Sequence, residues 1–396
     1  MVREPGGERE FVLFYRAVVD QRIPNSLRPR MFQRLTLLIF LAFILAACAS
    51  APASTPTPAQ AIVTILPPTP TPTQTPQPTA TLTTGQVLAP YTIAGLRARE
   101  YEAGRIKIRE TLLETDDFTR YLIEYPSDGL TITGVMQIPK AGEPPYPVIV
   151  LNHGFFSRYV YNSGDGTDRA AGFLNRKGYL TVSSDYRSWG GSESAASLFY
   201  SGLAVDVIHL IRALPSIPEA DVERIGLWGH SMGGGITAKV LTILDDQIKA
   251  AVFYSSVSAD FADVIGRWGP GCYGDIYAGE ATFGCNSSDI LPADSPPGLA
   301  ASYFDGTTDP VILEAVSPLY HFDLVTAPVQ IHYGAEDGKE SNGTPPEWSR
   351  KMYEAFLKAG VDAQIYAYNG EGHSFIGDPW FQFMAKTQSF FDKHVK

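Results

Sequence analysis

Apolar and polar positions follow different rhythms along this chain, and the rhythms sort it into elements. Ile106 to Tyr125 and Leu130 to Ile138 alternate apolar with polar residues, the period of antiparallel strands with one solvated face. Ser127-Asp128-Gly129 between them is a turn signal. Pro147 to Leu151 is a continuous apolar run instead, as expected of a strand buried on both faces. Similar runs recur at Tyr179–Ser183, Ile225–Trp228, Ala250–Tyr254, Val329–Tyr333 and Ala363–Tyr368. Helical segments fall between or after them, at Arg169–Lys177, Leu198–Leu214, Gly235–Leu244, Glu347–Lys358 and Phe381–Lys393. This alternation predicts an α/β domain: a mostly parallel central sheet with helices on both faces and antiparallel strands at its start. The stretch 258–319 breaks the alternation and is rich in Gly, Pro, Asp and aromatic residues. An insertion of that length in a compact domain is uncommon unless functional, so a cap over a site is expected there.

The apolar run Leu35 to Ala47 is of another kind. Met31-Phe32-Gln33-Arg34 precedes it as a positively charged start, and it is too short to span a bilayer as a stable helix. Leu45-Ala46-Ala47-Cys48 resembles the bacterial lipobox, whose cysteine is lipidated and becomes the new N-terminus. The resemblance implies a lipoprotein signal peptide over 31–47 and an exported protein anchored through Cys48 at the outer face of the bacterial cell membrane. A plain secretory signal and an uncleaved anchor are the alternatives. Residues 1–30 make a long, partly acidic preface and read as a mis-assigned start, with Met31 as the true first residue. From 48 to about 90 the chain is rich in Thr, Pro, Ala and Gln, with few large apolar groups to offset ordering entropy, and an extended linker is expected. The remaining segment, 91–396, is long enough for one α/β domain with a large core.

Charge and cysteine count narrow the function classes. The net charge is −11, and the folded part has no basic cluster of the kind that nucleic-acid binding needs. Of three cysteines, Cys48 belongs to the lipobox. In an oxidising compartment Cys272 and Cys285 are expected to form a disulfide closing a small loop, with two free buried thiols as the alternative. Two thiols without further Cys or His at ligand spacing do not make a metal site, and no metal or cofactor is expected.

The candidate chemistry lies where a strand meets a helix. Arg224-Ile225-Gly226-Leu227-Trp228 reads as a short buried strand, Gly234 to Leu244 as a helix, and Gly229-His230-Ser231-Met232-Gly233 joins them. A Gly-x-Ser-x-Gly in this setting resembles the nucleophile elbow of α/β-hydrolases. The turn is tight enough to strain the serine backbone, lift the Ser231 hydroxyl clear of the sheet, and aim the N–H groups of the helix start at an oxyanion. A glycine-rich turn with a serine cap is the bland alternative. A serine hydroxyl needs a base, and the base needs an acid to hold one tautomer. Val329 to Gly334 ends in Ala335-Glu336-Asp337, and Ala363 to Tyr368 ends in a loop containing Gly372-His373-Ser374. The order Ser231, Asp337, His373 is the α/β-hydrolase order. Glu336 competes with Asp337 for the acid. Of the seven histidines, His332 sits in a strand, His209 in a helix, His394 at the C-terminus and His230 at the variable position of the turn, whereas His373 sits on a glycine-flanked loop after a strand and is chosen as the base. Oxyanion donors are expected from the Met232 N–H and from the Phe155 N–H in Asn152-His153-Gly154-Phe155-Phe156. Arg187, in Asp185-Tyr186-Arg187, is expected to be structural rather than to touch substrate, and Asp165-Gly166-Thr167-Asp168 to be a turn and helix cap rather than a calcium loop.

These stretches, spanning about residues 147–390, resemble the α/β-hydrolase superfamily, in particular the catalytic domains of the prolyl oligopeptidase group (peptidase family S9) and dienelactone-hydrolase-like esterases. The resemblance implies acyl-bond hydrolysis through an acyl-serine without a cofactor, with Ser231 as nucleophile, His373 as base and then acid, and Asp337 as orienter. Two departures favour an esterase over a peptidase. Only about 55 residues separate the linker from the first central strand, too few for the β-propeller of those peptidases. The oxyanion loop also reads His-Gly-Phe-Phe where that group often has His-Gly-Gly-Pro. Ser231 in place of a cysteine argues against dienelactone hydrolysis itself. The expected substrates are small esters or acyl amides, or short peptides on the S9 alternative; a non-catalytic lipoprotein is the third reading. Phe156, Tyr159, Tyr161, Tyr254, Trp268 and Tyr273 are candidates to line a pocket, although core packing accounts for most aromatics.

Overall fold

The computed structural model describes residues 82–244, 247–281 and 285–396. Residues 1–30, the signal-like segment 31–47, Cys48 and the linker as far as 81 lie outside the described residues. The linker boundary expected near 90 needs correction, because secondary structure starts before it. Thr83 and Gln86 form a reciprocal capping box, the Gln86 N–H donating to Thr83 Oγ1 at 3.3 Å and the Thr83 N–H to Gln86 Oε1 at 2.9 Å. The threonines that read as linker thus start helix α1 (Thr84–Leu88), whose Leu88 is fully buried. Helix α2 (Ile93–Ala98) follows, capped by Thr92 and buried through Ile93 and Leu96.

The run Ile106 to Tyr125 is not continuous strand. It splits into β1 (Lys107–Glu114) and β2 (Phe118–Ser127), because the Thr115 hydroxyl accepts the Asp117 and Phe118 N–H groups and closes a turn. Among the described residues β1 pairs only with β2, and it is exposed along its length, so its apolar positions face no core there. β3 (Leu130–Pro139) completes the antiparallel part.

From β4 (Tyr146–Asn152) onward the sheet is parallel. The chain continues through α3 (Asp168–Asn175), β5 (Leu180–Ser184), α4 (Ser201–Ala213), β6 (Ala220–His230), α5 (Met232–Ile243) and β7 (Ile248–Tyr254). Val148 and Val150 face one hydrophobic cluster, Ile149 and Leu151 the other. That two-sided burial is why the run is apolar throughout rather than alternating. Each such side chain contributes about 1.5–3 kcal/mol.

The segment 258–319 contains α6 (Phe261–Trp268), β8 (Gly271–Gly274), α7 (Ile276–Ala281), β9 (Asn286–Pro292), α8 (Leu299–Gly306) and α9 (Pro310–Val316). β8 and β9 form a separate parallel pair, and Cys272 and Cys285 are joined by a disulfide with S–S 2.05 Å. The Asp289 carboxylate, buried in β9, accepts the N–H groups of Phe199 at 2.8 Å and Tyr200 at 2.9 Å. Those two residues adopt left-handed φ values of 50° and 57° just before α4. The insertion is therefore seated on the main domain by buried polar contacts.

β10 (Val329–Gly334), α10 (Pro346–Lys358), β11 (Ala363–Tyr368) and α11 (Gly377–His394) finish the chain. Among the described residues the main sheet has nine strands, in the order β1-β2-β3-β5-β4-β6-β7-β10-β11. Helices α4, α5 and α10 contribute to the cluster on one face, α3 and α11 to that on the other. The turns after β4, β6, β7, β10 and β11 all leave the sheet at the carboxyl ends of its parallel strands, where ligands bind in open α/β sheets.

Candidate active site

Ser231 ends β6 and starts α5, with φ 55° and ψ −122°, a conformation that L-residues rarely adopt. Backbone bonds hold it there. Its N–H donates to the Tyr254 carbonyl at 3.0 Å, and its carbonyl accepts the Gly234 and Val257 N–H groups at 2.9 and 3.0 Å. The flanking glycines are required by contact rather than by torsion. A Cβ on Gly229 would lie 2.3 Å from the Gly233 oxygen, and one on Gly233 2.0 Å from the Asn152 oxygen.

Asp337 follows β10 and His373 follows β11. His373 Nδ1 lies 2.9 Å from Asp337 Oδ2. The other carboxylate oxygen accepts the N–H groups of Gly338 at 2.7 Å and Thr344 at 2.9 Å. The Thr344 hydroxyl sits 2.7 Å from Oδ2. Burial alone would push the Asp337 carboxyl up; the bonds from His373, Thr344 and Gly338 outweigh it and hold the group below the usual carboxylate range. Glu336, the competitor, is half-exposed and paired with Lys339.

His230, next to the nucleophile, packs between rings, 4.5 Å from Tyr254 and 4.9 Å from His373. Burial, together with the neighbouring His373, lowers its pKa to about 3, so it stays neutral and donates Nε2–H to the His373 carbonyl at 3.1 Å. His230 thus ties the Ser231 turn to the His373 loop. Among the described residues no hydrogen bond joins the Ser231 hydroxyl to the His373 ring. Such bonds are often long in a free enzyme and tighten only with substrate.

The loop after β4 approaches the nucleophile by backbone. A Cβ on Gly154 would lie 3.0 Å from Ser231 Cβ. His153 orders this loop from beneath, stacked 4.6 Å from Tyr161 and 4.3 Å from Tyr186, with Nδ1 2.7 Å from the Gly154 carbonyl. Burial holds its pKa below the ordinary histidine value. Phe155 and Met232, the expected oxyanion donors, line the same cavity of about 310 Å³ as Ser231. Trp268, Cys285, Asn286, Ser287 and Ser288 of the insertion line it as well. The cavity lining thus mixes apolar groups such as Met232, Val257 and Trp268 with the hydroxyl and amide groups of Asn286, Ser287 and Ser288.

Other candidates fall elsewhere. Arg187 makes a buried two-point ion pair with Asp206 in α4, Nη2–Oδ1 2.8 Å and Nε–Oδ2 3.0 Å, which is a structural role. Asp168 begins α3 and pairs with Arg120 at 2.6 Å, while Asp165 accepts the Asn162 N–H in a turn. Of the aromatics, Trp268 lines the cavity, Tyr161 donates to the buried Asp185, and Tyr159 and Tyr273 are exposed. Thr344, Tyr200 and Ser288 are not marked by any local signal: Thr344 and Ser288 lie in stretches without periodic pattern, and Tyr200 falls in a segment read as plain helix.

A family model described as the alpha/beta hydrolase fold matches residues 147–286. A 31.7 kDa Escherichia coli protein from the traX–finO intergenic region is 32% identical over 111 residues, 28% of this chain and 36% of its own length. A lysophosphatidylserine lipase of Xenopus tropicalis is 30% identical over 96 residues, 24% of this chain and 23% of its own. The chain thus matches about a third or less of the length of these relatives. An acetyl xylan esterase from Paenibacillus sp. R4 superimposes with a TM-score of 0.54 at 16% identity, covering 81% of this chain and 97% of its own. The acylaminoacyl peptidase of Pyrococcus horikoshii gives 0.50 at 20% identity, covering 72% and 43%. At such identities the likeness is one of fold.

Proposed function

From a chain that carries the α/β-hydrolase fold, we infer a serine hydrolase that cleaves carboxylic esters or small acyl amides through an acyl-serine. The observation that carries this reading is the 2.9 Å bond between Asp337 and His373, on neighbouring loops at the strand ends that also carry Ser231. In this reading the Ser231 oxygen bonds to the acyl carbon while its proton passes to His373 Nε2. The carbonyl oxygen becomes an oxyanion facing the Phe155 and Met232 N–H groups, fixed before reaction. Collapse of the adduct breaks the acyl bond, and the leaving oxygen or nitrogen takes the proton from His373. Water then repeats the sequence, releasing the acid and restoring the Ser231 hydroxyl. Asp337 stays ionised throughout and keeps Nδ1–H pointed at itself.

A cavity of about 310 Å³ suits a small acyl group, and it supports esters of short acids ahead of peptides. The test compares p-nitrophenyl esters with aminoacyl p-nitroanilides, alongside fluorophosphonate labelling, in the wild type and in Ser231→Ala. Turnover of esters and labelling, both lost in Ser231→Ala, is the expected result. Faster anilide cleavage would move the assignment to an S9-like peptidase, and labelling that persists without Ser231 would end the serine mechanism. The location rests on Leu45-Ala46-Ala47-Cys48: an exported, lipid-anchored protein should leave the membrane fraction when Cys48 becomes serine, and one that stays put is anchored otherwise.

A further inference from the structure

The loop that carries Phe155 lies outside any helix or strand. Nothing in the sheet ladder fixes it, so side chains must. Two residues beyond Phe155, the Ser157 hydroxyl donates to Glu280 Oε2 at 2.6 Å. The Arg158 N–H lies 3.1 Å from both Glu280 oxygens, and Arg158 Nη1 lies 2.6 Å from Oε1. The Arg158 and Glu280 side chains are 1% and 5% exposed. Arg158 also donates to the Ser287 carbonyl at 2.8 Å and stacks 3.8 Å over Trp189, whose indole N–H holds the Phe156 carbonyl at 2.8 Å. Glu280 belongs to α7, inside the loop closed by Cys272 and Cys285.

We propose that Glu280 is a positioning residue for the oxyanion site: its carboxylate gathers the donors of Ser157 and Arg158, so the turn at 155–158 presents the Phe155 N–H to the developing charge. The Cys272–Cys285 bridge keeps Glu280 in reach. This rests on the acyl-serine reading above. One carboxylate accepting three donors from two consecutive residues sets their backbone direction, which a surface pair could not do. Misplacing a donor by about 1 Å costs up to about 100-fold in rate without weakening substrate binding.

The experiment measures ester kinetics, melting temperature and inhibition by a trifluoromethyl ketone, whose hemiketal oxyanion uses the same donors. Glu280→Gln keeps the side-chain shape but loses the charge. It should lower kcat by about 10- to 100-fold with KM within about twofold, and weaken the ketone in step with kcat/KM. Ser157→Ala, which deletes one hydroxyl, should fall in the same direction by less, and it reports even if Glu280→Gln fails to fold. Cys272→Ser with Cys285→Ser should mimic Glu280→Gln. Folded variants with wild-type kcat, or a change confined to KM, overturn the proposal while leaving the acyl-serine reading in place. A wild type that neither hydrolyses esters nor labels with fluorophosphonate overturns both.

Discussion

Gly334 and Gly372 touch across the two loops that carry Asp337 and His373: a Cβ on Gly334 would lie 2.2 Å from the Gly372 carbonyl oxygen and 2.3 Å from that of Glu371. The absent side chain is what lets a carboxylate after β10 reach an imidazole after β11. Gly334→Ala must push the loops apart, so kcat for ester hydrolysis should fall by about 100-fold, the scale of a 1 Å displacement. Steady-state kinetics on a folded variant checks this; an unchanged kcat would mean the loops can part without consequence.

Asp337 and Glu336 are adjacent in sequence but differ in surroundings. Asp337 is enclosed by donors, whereas Glu336 meets Lys339 near solvent. Asp337→Asn should therefore reduce turnover by about 10⁴-fold, as expected when the base loses its tautomer, and Glu336→Gln should stay near wild type. Equal losses would shift the acid role to both residues or to neither.

Thr344 offers a pH readout of the same carboxyl. Because the folded pKa of Asp337 lies below the ordinary value of 3.8, the group stabilises the fold above that value and loses the contribution as pH falls through its lowered pKa. Thr344→Val removes the hydroxyl 2.7 Å from Oδ2, which brings the folded pKa back toward the ordinary value and shrinks that contribution. Acid unfolding should then begin at higher pH than in wild type. Circular dichroism across an acid titration detects the shift, and coincident curves would refute it.

Lys239 lies fully buried in α5, with the Ser201 hydroxyl at 3.4 Å and the Phe261 ring at 4.9 Å close to its ammonium. Burial lowers its pKa to about 7 from 10.5, with the Asp289 charge opposing the shift. The unfolded chain thus holds this proton more tightly, and the group's contribution to stability rises between about pH 7 and 10.5. Lys239→Met should stabilise the protein at pH 6 by about 1–4 kcal/mol and flatten that rise. Urea melts at about pH 6 and about pH 9 test the sign; a variant less stable at both has lost a useful ion.

Arg187 and Asp206, 7% and 0% exposed at the side chain, are paired away from the cavity. Arg187→Met leaves a buried carboxylate uncompensated and should cost about 3–5 kcal/mol of stability. KM for any substrate should be unaltered, and a rise in KM at full stability would give the arginine a substrate contact.

Legibility in the sequence followed the range of the interactions. Val148 to Leu151 announced a doubly covered strand because their burial is set by the pleat alone. Gly229 and Gly233 marked the turn at Ser231 because the clashes they avoid lie at the strand–helix junction. Asp337 and His373 could be picked because each follows a strand run, although only the folded chain brings their side chains together. Elements fixed by distant partners were not legible. α1 depends on a cap helix more than two hundred residues away, so its threonines looked like linker. The Thr115 turn hid inside an alternation that continued across it. Thr344 and Glu280 matter through contacts with residues that no local period connects to them.

Leu88 fits a notch at Gly306 of α8: a Cβ there would lie 2.6 Å from Leu88 Cδ1 and 3.1 Å from Ile312 Cγ2 of α9. With a leading helix wedged behind it, the insertion is a fixed wall and not a swinging door. Throughput at the cavity that Phe155, Trp268 and Asn342 help to line should then depend on the girth of what passes rather than on how often a lid opens.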